Sequence, residues 1–239
     1  QLQEGDVLFI DEIHRLPQVV EEHLFSAMED FVLDIVLDSG PAARNVRIPL
    51  NRFTLVGATT QEGRLSRPFR DRFQIHEKLE LYPPSDLEKM IDRSARILRL
   101  VIDPRARAEV SRRSRGTPRI VNRLLRRLRD FAQVDSKAGL TLEICRMGLE
   151  KLGIDERGLD ATDRRILKVI ALSGGQPVGL KTIAASVGED EETLQEVYEP
   201  YLLQEQFIMK TPRGRVLGRA SSEVAGLPIS QHPLPFPEP

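Results

Sequence analysis

The chain has 239 residues, 30% of them charged and 40% hydrophobic, and a net charge of −1; this excludes a disordered polyelectrolyte and leaves any pull on nucleic acid to local patches. That length suffices for one large domain or two to three small ones. The single Cys145 cannot close an internal disulfide, which fits a reducing, cytoplasmic setting, and no apolar run approaches membrane-spanning length.

The chain is organised around Asp6 to Leu16, DVLFIDEIHRL. Val7 to Ile10 is a short apolar run without polar alternation, which predicts a strand buried on both faces of a parallel sheet. Chemistry in open α/β sheets gathers at the carboxyl ends of such strands, where Asp11 and Glu12 stand. This is the Walker B pattern of a nucleotide hydrolase: one carboxylate helps hold Mg²⁺ and the next polarises the attacking water. The alternative is a strand that ends in a solvated acidic turn. A β/α domain rarely opens on such a strand, so the start at Gln1, which carries no signal peptide, reads as a truncated amino terminus.

Pro17 to Asp30 follows as a helix with a proline in its first turn and Val20, Leu24 and Met28 on one face. FVLDIVLD and ARNVRIPL, within Phe31 to Leu50, flank SGPA as a hairpin. Its alternating Ile35, Leu37, Val46 and Ile48 form either a partner surface or the hairpin's own packing face. Phe53 to Ala58 predicts a second buried strand, ending at Thr59 and Thr60, and Ser66 to Phe73 a short helix bearing Arg67, Arg70 and Arg72. Ile75 to Leu81 predicts a further strand, closed by Tyr82-Pro83-Pro84.

Four helices come next. Ser85 and Glu88 form an expected capping box before a helix to Leu98, and Asp103-Pro104 opens a second helix that ends near Gly116. Thr117-Pro118 opens a third, to about Val134, and Thr141 caps a fourth that stops at Gly153. From Asp160 the pattern becomes three helices, to Leu172, over Leu180 to Val187, and over Glu192 to Gln204 with Pro200 interrupting. FIMK and RVLG then flank TPRG as a hairpin. Three helices and a hairpin make a winged-helix module. The proline-rich tail, SQHPLPFPEP, reads as disordered.

Eight arginines lie between Arg112 and Arg129, a run that more often marks a solvated helix face than a site. Arg119 differs from the rest. In GTPR it falls in the first helical turn, where the helix dipole favours acids, so either a bound phosphate explains the cation or it points to solvent. The third helix region of the winged module carries Glu189, Asp190, Glu191, Glu192, Glu196, Glu199 and Glu205 without a Lys or Arg, and would repel a duplex backbone. The hairpin is the reverse, with Lys210, Arg213, Arg215 and Arg219, so DNA contact would run through the wing to phosphates. The alternative is a winged module used only for protein packing. His14 and His23 fall outside metal-ligand spacing, and no Ser-His-Asp order or G-x-S-x-G elbow occurs.

The stretches GDVLFIDEIHRL, AMEDF, DIVLDSGPAAR, FTLVGATT, RPFRDRF, RSARIL, RRSRGTPRIVNRLLRRLRDFA, QPVGL, EPYLLQ and KTPRGR together resemble the RuvB family of Holliday junction branch-migration motors, within the AAA+ ATPases. DEIH is shared by many helicases, whereas GTPRIVNRLLRR with TPRGR is far more specific, and the likeness runs from Gly5 to about Arg219. The resemblance implies an α/β plus all-α architecture: the carboxyl-terminal part of an AAA+ core over 1–83, a helical lid over 84–155, a winged-helix DNA-binding domain over 156–222 and a disordered tail over 223–239. It implies an ATP- and Mg²⁺-dependent motor, a homohexamer that translocates duplex DNA in recombination, repair and the SOS response. Its implied partners are the Holliday junction, a RuvA-like protein docking on the hairpin 31–50, and a RuvC-like resolvase.

By the same resemblance Asp11 and Glu12 take the metal and water-activating roles, Thr60 is sensor 1, Arg72 is an arginine finger acting on a neighbouring subunit, and Arg119 is sensor 2. Glu29, Asp30, Phe31 and Tyr82 fall where the family contacts nucleotide, and Lys210, Arg213 and Arg215 fall on the DNA-touching wing. There are departures. No G-x-x-x-x-G-K-[ST] occurs in these 239 residues, so this chain alone is expected to be inactive toward ATP. Gln74 replaces a usual glycine, which would be strained at positive φ, and Glu191 stands where relatives can be basic. The competing readings are another AAA+ machine, such as a clamp loader, or a non-enzymatic DNA-binding scaffold on a decayed core.

Overall fold

A computed structural model describes residues 2–36, 45–135 and 139–224. The chain divides into two compact units, Gln1–Leu79 and Glu80–Pro239.

In the first unit, β1 (Val7–Ile10) leads through a 3₁₀ turn at Ile13–Arg15 into α1 (Gln18–Asp30). β2 (Val32–Val36) and β3 (Asn45–Pro49) form an antiparallel hairpin with Ile35 opposite Val46. Its SGPA turn and Leu37 lie outside the described residues. β4 (Thr54–Gly57) pairs in parallel with β1, Phe9 opposite Val56 and Ile10 opposite Gly57, and α2 (Arg67–Arg70) follows. The parallel pairing brings the ends of both strands, Asp11-Glu12 and Thr59-Thr60, to one edge.

Three expectations fail here. β1 is not buried on both faces: Val7 is 64% and Phe9 60% exposed, because among the described residues nothing covers the face they share with Val56. Ile75 to Leu81 forms no strand; it runs as coil without a ladder partner among the described residues, and Ile75 and Leu79 are 78% and 94% exposed. Gln74 does not occupy the positive-φ region, so no glycine-like strain arises there.

The second unit holds two hydrophobic cores. The first is built by α3 (Pro84–Ile97), α4 (Pro104–Arg113), α5 (Pro118–Asp135) and α6 (Leu142–Lys151). Leu87, Ile91, Val110, Leu124, Leu125, Leu128 and Leu149 pack in it with almost no exposure, each worth about 2 kcal/mol by burial. Asp103 caps α4 by accepting from Arg105 N and Ala106 N, and Thr141 Oγ1 caps α6 by accepting from Ile144 N. Ser85 does not cap α3. The helix already starts at Pro84 after Pro83, and Glu88 is engaged instead by Arg107 at 3.0 Å.

The second core lies among α7 (Ala161–Ala171), α8 (Leu180–Val187), a helix built from α9 (Glu191–Thr193) and α10 (Glu199–Gln204), and the hairpin of β5 (Ile208–Thr211) and β6 (Gly214–Leu217). A π turn over Leu194–Tyr198 joins α9 to α10; Pro200 has no N–H to give, and the wider turn carries the helix past it. Val178 adds a third chain segment to the hairpin, exchanging two 2.8 Å backbone bonds with Arg215. Gly214 makes that possible: at φ +147° its absent Cβ would stand 2.4 Å from the Val178 carbonyl oxygen. The tail beyond Val224 lies outside the described residues.

Candidate functional site

At the shared end of β1 and β4, Ala58 N donates to Ile10 O and Ile13 N to Ala58 O, lashing the two loops together. Gly57 permits this approach, since a Cβ there would come within 2.9 Å of Ile13 Cδ1. Asp11 stands exposed at the strand tip, and its Oδ1 accepts from Glu12 N at 3.0 Å. Glu12 occupies the left-handed region (φ 48°), a rare conformation for a side chain other than Asn or Asp. That turn directs its carboxylate to the β4 loop, where Thr60 Oγ1 donates to Glu12 Oε2 at 3.2 Å. His14, with no side-chain exposure, places Nδ1 2.8 Å from Thr59 Oγ1 and 3.3 Å from Glu12 Oε2.

These donors fit a magnesium-nucleotide. Mg²⁺ takes one or two carboxylates beside substrate phosphates, not a closed protein cage. Asp11 and Glu12 supply such hard oxygens at one edge, and no cluster of three His, Cys, Asp or Glu gathers among the described residues.

Arg72 lies in the turn after α2. Its guanidinium donates to Glu29 Oε2 at 2.8 Å and stacks 4.3 Å from the Phe25 ring centre, both on α1, so it is held in place while 36% exposed. Asp30 faces Arg47 of the hairpin at 3.9 Å. Phe31 ends α1 in the left-handed region, edge-on to Phe53 at 6.2 Å and beneath Arg52. Glu29 therefore joins Arg72, whereas Asp30 and Phe31 serve the base of the hairpin.

In the second unit Tyr82 N donates to Gly116 O at 2.8 Å, which fixes the entry to α3 against the start of α5. Gly116 is required, because a Cβ would reach 2.5 Å from Leu81 Cβ. Thr117 Oγ1 donates back to Arg115 O at 3.1 Å. Arg119 stands exposed in the first turn of α5 and has no ion-pair partner among the described residues, as a phosphate-binding cation would. A cleft of about 410 Å³ lies beside this junction, lined in part by Tyr82, Arg112, Arg115, Gly116, Arg157 and Tyr201.

The arginine run does not form one face. Arg119, Arg123, Arg126 and Arg127 are exposed, but Arg113 and Arg115 are buried. Arg115 binds both carboxylate oxygens of Asp163, donates to Gly158 O at 2.6 Å and lies 5.2 Å over the Tyr201 ring. Asp163, wholly buried in the capping box of α7, has its carboxyl pushed up to about 6 by burial, against the pull of Arg115. Nothing in the sequence separates this buried arginine from its exposed neighbours.

Lys210 and Arg213 stand exposed on the hairpin. Arg215 does not: it is buried against Glu199, with Nη2 donating to Oε2 at 3.0 Å, so its charge is committed within the module rather than offered to a phosphate. Glu191 lies in the first turn of α9, where an acid suits the helix dipole.

Three family models match the chain in succession: the Holliday junction DNA helicase RuvB P-loop domain over residues 1–79, the RuvB AAA lid domain over 82–155 and the RuvB C-terminal winged helix domain over 156–225. The Holliday junction branch migration complex subunit RuvB of Methanoregula boonei is 60% identical over 90% of this chain and 64% of its own length. Its Lactobacillus delbrueckii counterpart is 52% identical over 95% of this chain and 68% of its own. Among solved structures, the Thermotoga maritima RuvB Holliday junction branch migration motor matches with a TM-score of 0.81 at 45% identity, over 93% of this chain and 70% of that one. The chain thus spans a little under two-thirds of the first relatives it matches, those of Methanoregula boonei and Myxococcus xanthus, at 64% and 62% of their lengths. With a P-loop-domain segment, a lid and a winged helix in that order, and 52% identity across more than two-thirds of one relative, the chain belongs to the RuvB family.

Proposed function

We propose that this chain is part of an ATP-driven DNA translocase that promotes branch migration at Holliday junctions in recombination and repair. The observation that carries it is the Thr60 Oγ1 to Glu12 Oε2 bond. It joins a carboxylate pair and a polar sensor from two strands at one sheet edge, the arrangement nucleotide hydrolysis needs.

In this reading Asp11 helps hold Mg²⁺ at the ATP phosphates, Glu12 polarises the attacking water, and Thr60 orients it. Arg72 acts on the nucleotide of the next subunit in a homohexamer; Glu29 and Phe25 of α1 hold its guanidinium, with Glu29 at the same junction. Tyr82 and Arg119 contact the nucleotide from the lid. Lys210 and Arg213 hold duplex DNA through phosphates, and Arg215 stiffens the wing from behind. The half-exposed Val46 and Ile48 on β3 belong to a hairpin that docks a RuvA-like partner, and a RuvC-like resolvase joins the wider assembly. A buried Cys145, its thiol pushed up to about 12 by burial, suits a reducing cytoplasm.

Arg72→Ala in the full-length protein tests this reading. Removing an arginine finger lowers turnover by about 10³-fold or more while leaving nucleotide affinity nearly unchanged. Persistent ATP hydrolysis in that variant refutes the finger assignment; absence of DNA-stimulated hydrolysis in the parent protein refutes the motor.

A further inference from the structure

We propose that His14 is a positioning residue that sets the carboxylate of Glu12, tying it to the β4 loop through Thr59. This rests on the reading of Glu12 as the water-polarising group. The imidazole has no side-chain exposure, and among the described residues its Nδ1 edge faces Glu12 and Thr59. Nδ1 lies 3.3 Å from Glu12 Oε2 and 2.8 Å from Thr59 Oγ1, and Thr59 Oγ1 also accepts from Gln61 N at 3.0 Å. The other ring nitrogen, Nε2, is buried without a hydrogen-bond partner among the described residues.

The surroundings of the two ring nitrogens favour one tautomer. Glu12 Oε2 is an acceptor when ionised, so a bare Nδ1 lone pair 3.3 Å away would be repelled. A proton on Nδ1 is attracted to both Oε2 and Thr59 Oγ1, and Nε2 is left as the bare, buried nitrogen. The opposite tautomer would let Thr59 Oγ1 donate to Nδ1, but it would bury an orphan N–H donor at Nε2 and turn the Nδ1 lone pair toward Glu12 Oε2. A buried polar atom without a partner costs about 1–3 kcal/mol, and such a cost persists where a site needs it.

The consequence reaches Glu12. Its left-handed backbone leaves the side chain to be fixed by what it meets: Thr60 Oγ1 at 3.2 Å and His14 Nδ1 at 3.3 Å, both on Oε2. Oε1 is then the oxygen directed to a water. Thr60 and His14 both meet Oε2, and the imidazole is the contact that ties this carboxylate to the β4 loop through Thr59.

Two measurements test this. In the 239-residue chain, long-range ¹H–¹⁵N spectra are expected to show His14 as the Nδ1–H tautomer, with Nδ1 shifting on Glu12→Gln; the Nε2–H tautomer, or no response to Glu12→Gln, overturns the proposal. In the full-length protein, His14→Leu is expected to lower kcat about 10-fold or more with KM for ATP within about twofold, while His14→Asn, whose amide N–H reaches the Nδ1 position, recovers most of the rate. Equal loss in both variants, or a fall in ATP affinity that accounts for the whole effect, overturns it. If the parent protein does not hydrolyse ATP, the proposed function falls, and the tautomer measurement still decides where His14 points its proton.

Discussion

Arg115→Met would remove the guanidinium that joins the two cores of the second unit. The wild-type side chain binds both oxygens of Asp163, donates to Gly158 O and covers the Tyr201 ring, all across more than forty residues of sequence. Breaking a buried pair from one side leaves the other charge uncompensated, at about 3–5 kcal/mol, and the orphaned Gly158 carbonyl adds about 1 kcal/mol. Methionine refills part of the volume, so we expect a loss of about 4 kcal/mol at pH 8, or roughly 10–15 °C in melting temperature for a unit of this size.

The pH dependence gives a sharper test. The Asp163 carboxyl is raised from 3.8 in the unfolded chain to about 6 by burial, with Arg115 opposing the rise. A folded value above the unfolded one means that the native state binds the extra proton. Stability from this group is therefore complete below pH 4 and falls as pH climbs through about 6. Without Arg115 the carboxyl rises further, and the falling limb extends to higher pH. The loss in Arg115→Met should therefore be smaller at pH 5 than at pH 8. Adding Asp163→Asn, which removes the stranded charge, should recover part of it. Urea melts of the four species of the double-mutant cycle at both pH values provide the assay. A loss under about 1 kcal/mol at pH 8, or one that does not change with pH, refutes the picture of a buried ionic link.

Gly214→Ala should cost about 3 kcal/mol or more, because its Cβ would stand 2.4 Å from Val178 O; faster hydrogen exchange at the Val178 and Arg215 amides would report the broken bridge. On the wing, Lys210→Ala with Arg213→Ala should weaken duplex binding and reduce the salt slope of log K by about 2, whereas Arg215→Lys should lower the melting temperature through Glu199. Salt-dependent binding titrations and melts together separate these effects, and a slope change confined to Arg215→Lys would contradict the burial of that side chain.

The helix starts were legible from single residues. Asp103, Thr141 and Asp160 each accept from backbone N–H groups of the following turn, a bond that needs nothing beyond three neighbours. The hairpins and the acidic tip of β1 were equally local, and the resemblance supplied the roles proposed for Thr60, Arg72 and Arg119. Ser85 misled because Pro84, already preorganised for a first turn, starts the helix one residue earlier. Ile75 to Leu81 has strand composition, but a strand also requires a neighbour to pair with, and that is not a property of the segment.

What only the tertiary structure decided is the fate of each charge. Arg115 and Arg119 stand four residues apart in one basic run; one is buried on Asp163 and the other is exposed. Arg215 reads as a wing cation until Glu199, on another element, takes its guanidinium inward. His14 has no ligand spacing in the sequence, yet it meets Thr59 from the neighbouring strand's loop. A cap or a turn is decided within one turn of chain. A buried ion pair or a fixed rotamer depends on groups that only packing brings within 3 Å or so, so its energy cannot be read from local order.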